Sequence, residues 1–160
     1  MTTFQGAKAV VELLKAKNQS VAVAESLTGG GLGAAITAVG GASDVFLGGV
    51  IAYSPTVKES LLKVKKEAIA TFGVVSEEIA VAMADGIREL LGSTWGISTT
   101  GVAGPGDAFG VAAGTVWIAI SGPINQSIQL EVEGEREVVR NASVSSAISA
   151  FERILISLKA

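Results

Sequence analysis

The stretch VAVAESLTGGG, residues 21–31, decides the fold class of this chain. Its first four residues are small and apolar, which is typical of a short buried strand. Its last three residues are glycines that mark a tight turn, and Leu32–Val39 predict a small-residue helix that ends at Gly40. A buried strand that turns through glycines into a helix is the opening unit of an α/β sheet.

The segments on either side continue this alternation of helix and strand. Periodicity and end signals predict four more helices, at Phe4–Ala16, Pro55–Leu62, Ser76–Leu91 and Val138–Leu158. Apolar patterns predict strands at Phe46–Tyr53, Trp95–Thr99, Gly114–Ser121 and Ser127–Val132, and the last two form a hairpin. Early alternation followed by a late hairpin predicts a single domain over residues 1–160, a three-layer α/β/α structure with a mixed sheet.

The composition limits the chemistry that this chain can perform. The 160 residues are 49% hydrophobic and carry a formal net charge of -3, so we expect a buried core and no basic surface for nucleic acid. The sequence has no Cys and no His, which excludes thiolate nucleophiles, Ser-His-Asp triads and zinc sites made from these residues. Any reaction must therefore use Ser, Thr, Tyr, Lys, Arg, carboxylates or backbone amides.

Two long stretches without charge, Ser26–Ser43 and Ala108–Leu130, have the length of membrane spans. Six glycines interrupt the first stretch, and the pair Gly122-Pro123 interrupts the second. The N-terminal segment has charged residues in an amphipathic pattern, unlike the apolar run of a signal peptide. The sequence therefore predicts a cytoplasmic protein that does not bind a membrane.

Ser26 follows the first strand directly and stands at the start of the glycine turn. Free amides and the positive end of a helix dipole would make this turn, with Thr28, Gly29 and Gly30, an anion site beside the Ser26 hydroxyl. The alternative is structural: Ser26 or Thr28 caps the helix, and the glycines let the helix pack closely on the strand. No Gly-Lys-Ser/Thr follows, so the turn is not a Walker loop.

Tyr53 and Lys58 follow the second strand. Ligands of open α/β sheets gather at the carboxyl ends of strands, so we expect Tyr53 and Ser26 to face one crevice. Lys58, near the start of a helix and partly desolvated, would have a lowered pKa and could act as a base. The alternative is a solvated surface lysine, with the Tyr53 hydroxyl in water.

A third strand ends in the glycine loop TTGVAGPGD, residues 99–107. Backbone amides around Thr100, Gly101 and Gly104 are a candidate nest for a phosphate or an oxyanion. An ordinary flexible loop is the alternative.

Two arginines near the C-terminus, Arg136 and Arg140, lie four residues apart. On a helix they could share one face, and arginine is the side chain that commonly binds a phosphate group through two parallel hydrogen bonds. The alternative, which is equally compatible with the pattern, is a surface salt-bridge cluster with the neighbouring Glu135 and Glu137.

Four motifs occur in order along the chain: AESLTGG at 24–30, YS at 53–54 with Lys58, TGVAGP at 100–105 and GTVW at 114–117. This order resembles the C-terminal domain of the competence/damage-inducible protein family CinA, which is also found as a stand-alone nicotinamide-nucleotide amidase. The resemblance extends roughly from Ala7 to Leu158. It includes the segment around Arg136 and Arg140, which is similar to the family's basic segment before its last helix.

The resemblance implies an amidase that converts nicotinamide mononucleotide to nicotinic acid mononucleotide and ammonia, in pyridine nucleotide salvage, without metal or cofactor. It implies a Ser/Lys pair formed by Ser26 and Lys58, which agrees with the absence of His and Cys. In this scheme Lys58 takes the proton of the Ser26 hydroxyl, and Lys58 or the adjacent Tyr53 then assists the departure of ammonia.

The same resemblance assigns binding roles to the glycine turns. Backbone amides at Thr28, Gly29 and Gly30, or at Gly101, would stabilise the oxyanion. The remaining amides of the loop that contains Thr100 and Gly104 would hold the 5′-phosphate together with Arg140.

The loop Asp107–Gly114 departs from the family pattern, because it lacks the usual Lys-Pro-Val-Gly approach to the next strand. This departure leaves two alternatives open: a non-catalytic nucleotide-binding module of the same fold, and an amidase for another small carboxamide. The expected partner is a small-molecule nucleotide, with neither nucleic acid nor membrane. The small-residue helix and the apolar late strands also favour a homo-oligomer.

Overall fold

A computed structural model of the chain describes residues 2–158, with the side chains of residues 6–158. Its strands are β1 (Val21–Glu25), β2 (Phe46–Ile51), β3 (Trp95–Gly101), β4 (Thr115–Ser121) and β5 (Gln126–Glu131). Its α-helices are α1 (Thr2–Lys17), α2 (Gly31–Thr37), α3 (Pro55–Ser60), α4 (Lys66–Phe72), α5 (Glu77–Leu91) and α6 (Arg136–Ser157). A short 3-10 turn, Ala42–Asp44, precedes β2.

The strands form one mixed sheet in the order β2-β1-β3-β4-β5. β1 lies parallel to both β2 and β3, whereas β4 is antiparallel to β3 and forms a hairpin with β5. Glu25 at the end of β1 aligns with Ile51 of β2 and Thr99 of β3. The carboxyl ends of the three parallel strands therefore meet at one end of the sheet, where open α/β sheets bind ligands.

Helices cover both faces of the sheet. α1, α2 and α6 pack on one face, where Val23 and Ile97 belong to the larger apolar core. α5 packs on the other face together with residues from α3 and α4, and Ala22 and Ala24 belong to that second core. Because β1 is an interior strand and is covered on both sides, all five of its residues are buried. The predicted three-layer α/β/α structure with a mixed sheet is confirmed.

α5 shows how closely local signals can fix the ends of a helix. The Ser76 hydroxyl accepts a hydrogen bond from the Ile79 N–H at 3.3 Å, which caps the first turn. Gly92 follows the last turn with φ of 66°, a left-handed conformation that glycine adopts without steric strain. The predicted helix over residues 76–91 is confirmed.

The sequence pattern does not predict α4, and it places the ends of three other elements two residues too far along the chain. α4 has no buried residue, and only Ala68 and Ile69 contact the second core, so the helix has too little apolar periodicity to be recognised. The predicted helix Leu32–Val39 ends at Thr37. The predicted strand Phe46–Tyr53 ends at Ile51, and the helix that begins at Pro55 ends at Ser60.

The two charge-free stretches contain α2 and the β4-β5 hairpin. Among the residues that the structure describes, no helix is both long enough and apolar enough to cross a membrane.

Candidate active site

A cleft of about 260 Å³ opens at the carboxyl ends of the parallel strands. Ser26, directly after β1, and Tyr53, two residues after β2, both line it. Gly101 at the end of β3 lines it as well, as does the loop that follows. The prediction that Ser26 and Tyr53 face one crevice is confirmed, and its reason is the parallel alignment of their strands.

Lys58 lies beneath Ser26 and is almost completely buried, with 2% of its surface exposed. Its Nζ is 3.2 Å from the Ser26 Oγ and donates a second hydrogen bond to the Ala52 carbonyl at 2.6 Å. Pro55 and the capping Ser54 hydroxyl start the short helix that carries Lys58, and this helix directs the lysine inward. The alternative of a solvated surface lysine is wrong.

Burial also changes the acid-base chemistry of this amine. Removal from water disfavours the ammonium form and lowers the pKa of Lys58 from 10.5 to about 8. Within the described residues no carboxylate forms an ion pair with Lys58, so no counter-charge opposes this effect. A neutral amine with one N–H on the Ala52 carbonyl has its lone pair free to accept the Ser26 hydroxyl proton.

The start of α2 is not the open anion site that the sequence suggests. The buried Glu25 carboxylate accepts hydrogen bonds from the Leu32 N–H at 2.8 Å and the Gly33 N–H at 3.0 Å. A protein carboxylate thus occupies the positive end of this short helix, and the expectation of free amides there is wrong for these two residues. The sequence signal for this role of Glu25 is only its spacing, since an acid seven residues before a helix amide can fold back onto it.

In the rest of the turn after Ser26, some polar groups form hydrogen bonds within the chain and others do not. The Gly29 N–H donates to the Ser26 carbonyl at 3.1 Å, and the buried Thr28 hydroxyl is 2.7 Å from the Thr99 hydroxyl. The N–H groups of Thr28 and Gly30 have no acceptor among residues 6–158. Thr28, Gly29 and Gly30 do not themselves line the cleft, and their binding roles stay predictions.

The end of β3 and the loop after it contribute backbone to the cleft, while the side chain of Thr100 in β3 is engaged elsewhere. The Thr100 hydroxyl donates to the Val74 carbonyl at 2.7 Å and so fastens the segment before α5. Gly101 and Gly104 both line the cleft. A side chain at Gly101 would meet the Thr115 carbonyl at 2.7 Å, so the close pairing of β3 and β4 requires glycine there. The binding roles of Thr100, Gly101 and Gly104 stay predictions.

The two arginines of α6 have different surroundings. Arg140 donates to the carbonyls of Leu27 and Thr28, at 3.0 Å from Nε and 3.3 Å from Nη2, and so supports the turn that carries Ser26. Arg136 lines the cleft and donates to the Gly104 carbonyl at 2.6 Å and to the Tyr53 hydroxyl at 3.0 Å. The four-residue spacing was the available signal for Arg136, and Arg140 as a phosphate ligand stays a prediction.

No group of three or more acidic residues within the described part of the chain is arranged to hold a metal ion. The polar side chains that line the cleft are Ser26, Tyr53, Asp107 and Arg136. They offer one carboxylate, two hydroxyls and one guanidinium.

A three-layer α/β fold, with a buried lysine under a serine at the carboxyl ends of parallel strands, defines a class of α/β proteins with a candidate Ser/Lys site. Within that class, the chain belongs to the CinA C-terminal domain family, whose model matches residues 4–155.

Individual relatives agree with this assignment. A CinA-like protein of Synechococcus sp. (strain RCC307) is 46% identical over 147 residues, which cover 89% of this chain and 35% of that protein. A CinA-like protein of Crocosphaera subtropica is 45% identical over 153 residues, which cover 93% of this chain and 37% of that protein. The chain thus spans about a third of the length of these curated relatives.

A solved structure shares the fold over nearly its whole length. The competence-damaged protein (CinA) superfamily protein from Klebsiella pneumoniae 700603 superimposes with a TM-score of 0.93 at 32% identity. The match covers 97% of this chain and 98% of the Klebsiella chain.

Proposed function

We propose that this chain is a nicotinamide-nucleotide amidase, which hydrolyses the carboxamide of nicotinamide mononucleotide to nicotinic acid mononucleotide and ammonia in pyridine nucleotide salvage. The observation that supports this most directly is the contact between the Lys58 Nζ and the Ser26 Oγ at 3.2 Å. In a chain without His or Cys, a serine paired with a buried lysine of lowered pKa supports acyl transfer.

The reaction begins with transfer of a proton from the Ser26 hydroxyl to the neutral Lys58 amine. The Ser26 Oγ attacks the carboxamide carbon, and the carbonyl oxygen becomes an oxyanion that the unengaged amides of Thr28 and Gly30 would stabilise. Each such donor lowers the barrier by about 3 kcal/mol. The Lys58 ammonium then gives its proton to the leaving nitrogen, the C–N bond breaks, and ammonia departs from an acyl-Ser26 ester.

In the hydrolysis of the ester, Lys58 again acts first as a base and then as an acid. Lys58, again neutral, removes a proton from a water molecule that attacks the ester carbon. The proton returns to the Ser26 Oγ as the C–O bond breaks, which releases the carboxylic acid and restores the pair. The hydrogen bond from Lys58 to the Ala52 carbonyl holds the amine in place through both half-reactions.

Cationic and hydroxyl groups around the cleft suit a phosphorylated substrate. Because Arg136 donates to the Tyr53 hydroxyl, the Tyr53 O–H proton is free to point toward the leaving group. Arg140, which supports the turn after Ser26, would hold the 5′-phosphate. A small-molecule nucleotide as partner, a cytoplasmic location and a homo-oligomer remain part of the same proposal.

The first experiment measures ammonia release from nicotinamide mononucleotide by the wild type, Ser26→Ala and Lys58→Ala. We expect turnover by the wild type and a loss of at least about 10³-fold in kcat in each variant, because the two residues act as one unit. Ser60→Ala and Lys66→Ala are matched controls on exposed residues outside the cleft, and they should retain full activity.

Turnover that survives Ser26→Ala would show that Ser26 is not the nucleophile. A wild type that binds the nucleotide without releasing ammonia would instead be the non-catalytic binding module. Ammonia release from a different small carboxamide alone would identify another amidase.

A further inference from the structure

Phe109, on the loop between β3 and β4, is an aromatic side chain at the mouth of the candidate active site. It lines the same cleft as Ser26 and Tyr53. Its exposed fraction of 73% is unusually high for a phenylalanine, and none of the apolar clusters formed by the described residues includes it. Packing within the chain therefore gives no reason for a phenyl ring at this position.

The backbone gives no reason for the ring either. Ala108 and Val111 exchange reciprocal hydrogen bonds at 3.0 and 2.9 Å around Phe109 and Gly110, which forms a two-residue hairpin turn. Phe109 and Gly110 have φ of 55° and 72°, the type I′ arrangement that favours Asn-Gly and disfavours bulky residues. The Asp107 carboxylate accepts from the Ala113 N–H at 3.0 Å and fastens the base of this turn.

A second exposed aromatic residue lines the same cleft. Tyr53 is 61% exposed, and its hydroxyl is held by Arg136. Arg136 also donates to the Gly104 carbonyl, so a single guanidinium joins Tyr53 to the loop that carries Phe109. Two exposed rings at the edge of one cleft are the arrangement by which proteins bind planar aromatic ligands through stacking.

We propose that Phe109 and Tyr53 bind the aromatic ring of the substrate, so that the site selects aromatic carboxamides over aliphatic ones. The proposal rests on the proposed amidase function and assigns the ring-binding part of its site. It also gives a role to residues 107–114, the segment that carries Phe109.

The decisive variant is Phe109→Asn, because Asn is favoured at this turn position and removes only the ring. We expect the Tm to stay the same or rise, while the KM for nicotinamide mononucleotide increases about tenfold, within the range that base–aromatic stacking gives. Phe109→Trp should keep the KM within about twofold, since it keeps an aromatic face. Phe72→Ala removes another exposed phenylalanine that does not line the cleft, and should leave the KM unchanged.

Calorimetry of nicotinamide mononucleotide on the wild type and Phe109→Asn separates this proposal from the amidase proposal. Turnover with an unchanged KM and Kd in Phe109→Asn would overturn the ring-binding role alone. Binding without turnover, weakened about tenfold in Phe109→Asn, would overturn the amidase and support the ring-binding role. A wild type that neither binds nor hydrolyses the nucleotide would overturn both.

Discussion

The protonation state of a single amine determines when this site can act. Only neutral Lys58 can accept the Ser26 proton, and burial lowers the pKa of Lys58 to about 8. We therefore expect log kcat/KM to rise with a slope near one below pH 8 and to level off above it, as measured by ammonia release between pH 6 and 9.5. A profile that is flat over this range would contradict Lys58 as the base, because the protonation of Lys58 would then not affect the rate. A profile that still rises at pH 9.5 would mean that the pKa of Lys58 keeps its usual value near 10.5.

Glu25 illustrates a different role for a buried charge next to the nucleophile. Its carboxylate holds the first amides of α2, and its backbone carbonyl accepts from the Ala52 N–H at 2.7 Å. Ala52 in turn holds the Lys58 amine. One residue thus holds both the helix after Ser26 and the backbone of Ala52, whose carbonyl accepts from Lys58.

Among the contacts between elements, α5 packs closely on the segment that follows α3. One position of α5, Gly86, has room only for glycine. A Cβ at Gly86 would lie 2.1 Å from the Leu62 carbonyl oxygen, and the nearby Val64 N–H donates to the Lys58 carbonyl. Gly86→Ala should therefore push this segment away and destabilise the fold by about 2 kcal/mol, although alanine is the better helix former.

The expected readouts are a Tm lowered by about 5 °C and a lowered kcat, since the displaced segment carries the end of the Lys58 helix. Gly40→Ala is the matched control, because a Cβ there meets no atom within 4 Å. Equal Tm values for the two variants would show that the contact between α5 and this segment tolerates a methyl group.

At the scale of the whole molecule, the sequence predicts the sheet and the meeting of strand ends better than it predicts individual contacts. Alternation along the chain is enough to predict three layers, and parallel strands bring Ser26 and Tyr53 together. The capping of α2 by Glu25 could not be predicted, because it depends on how the turn folds back. The orientation of Phe109 depends on a hairpin turn whose sequence is atypical for positive φ.

The site also has a consequence for the stability of the whole fold. The pKa of Lys58 is about 8 in the folded protein and near 10.5 when the chain unfolds, so between these values the unfolded state binds more protons. The free energy of unfolding therefore gains about 3 kcal/mol from Lys58 as the pH rises from 7.5 to 10.5, and the full penalty of the buried ammonium applies below pH 8.

Lys58→Met isolates this effect, because the variant keeps a long side chain without a titratable amine. Other groups titrate in both proteins, so they cancel in the difference between the two urea-unfolding free energies at each pH. We expect Lys58→Met to be the more stable protein at pH 7.5 and its advantage to shrink by about 3 kcal/mol at pH 10.5. An advantage that does not change with pH would mean that the Lys58 amine is hydrated in the folded protein and is not the desolvated base that the reaction requires.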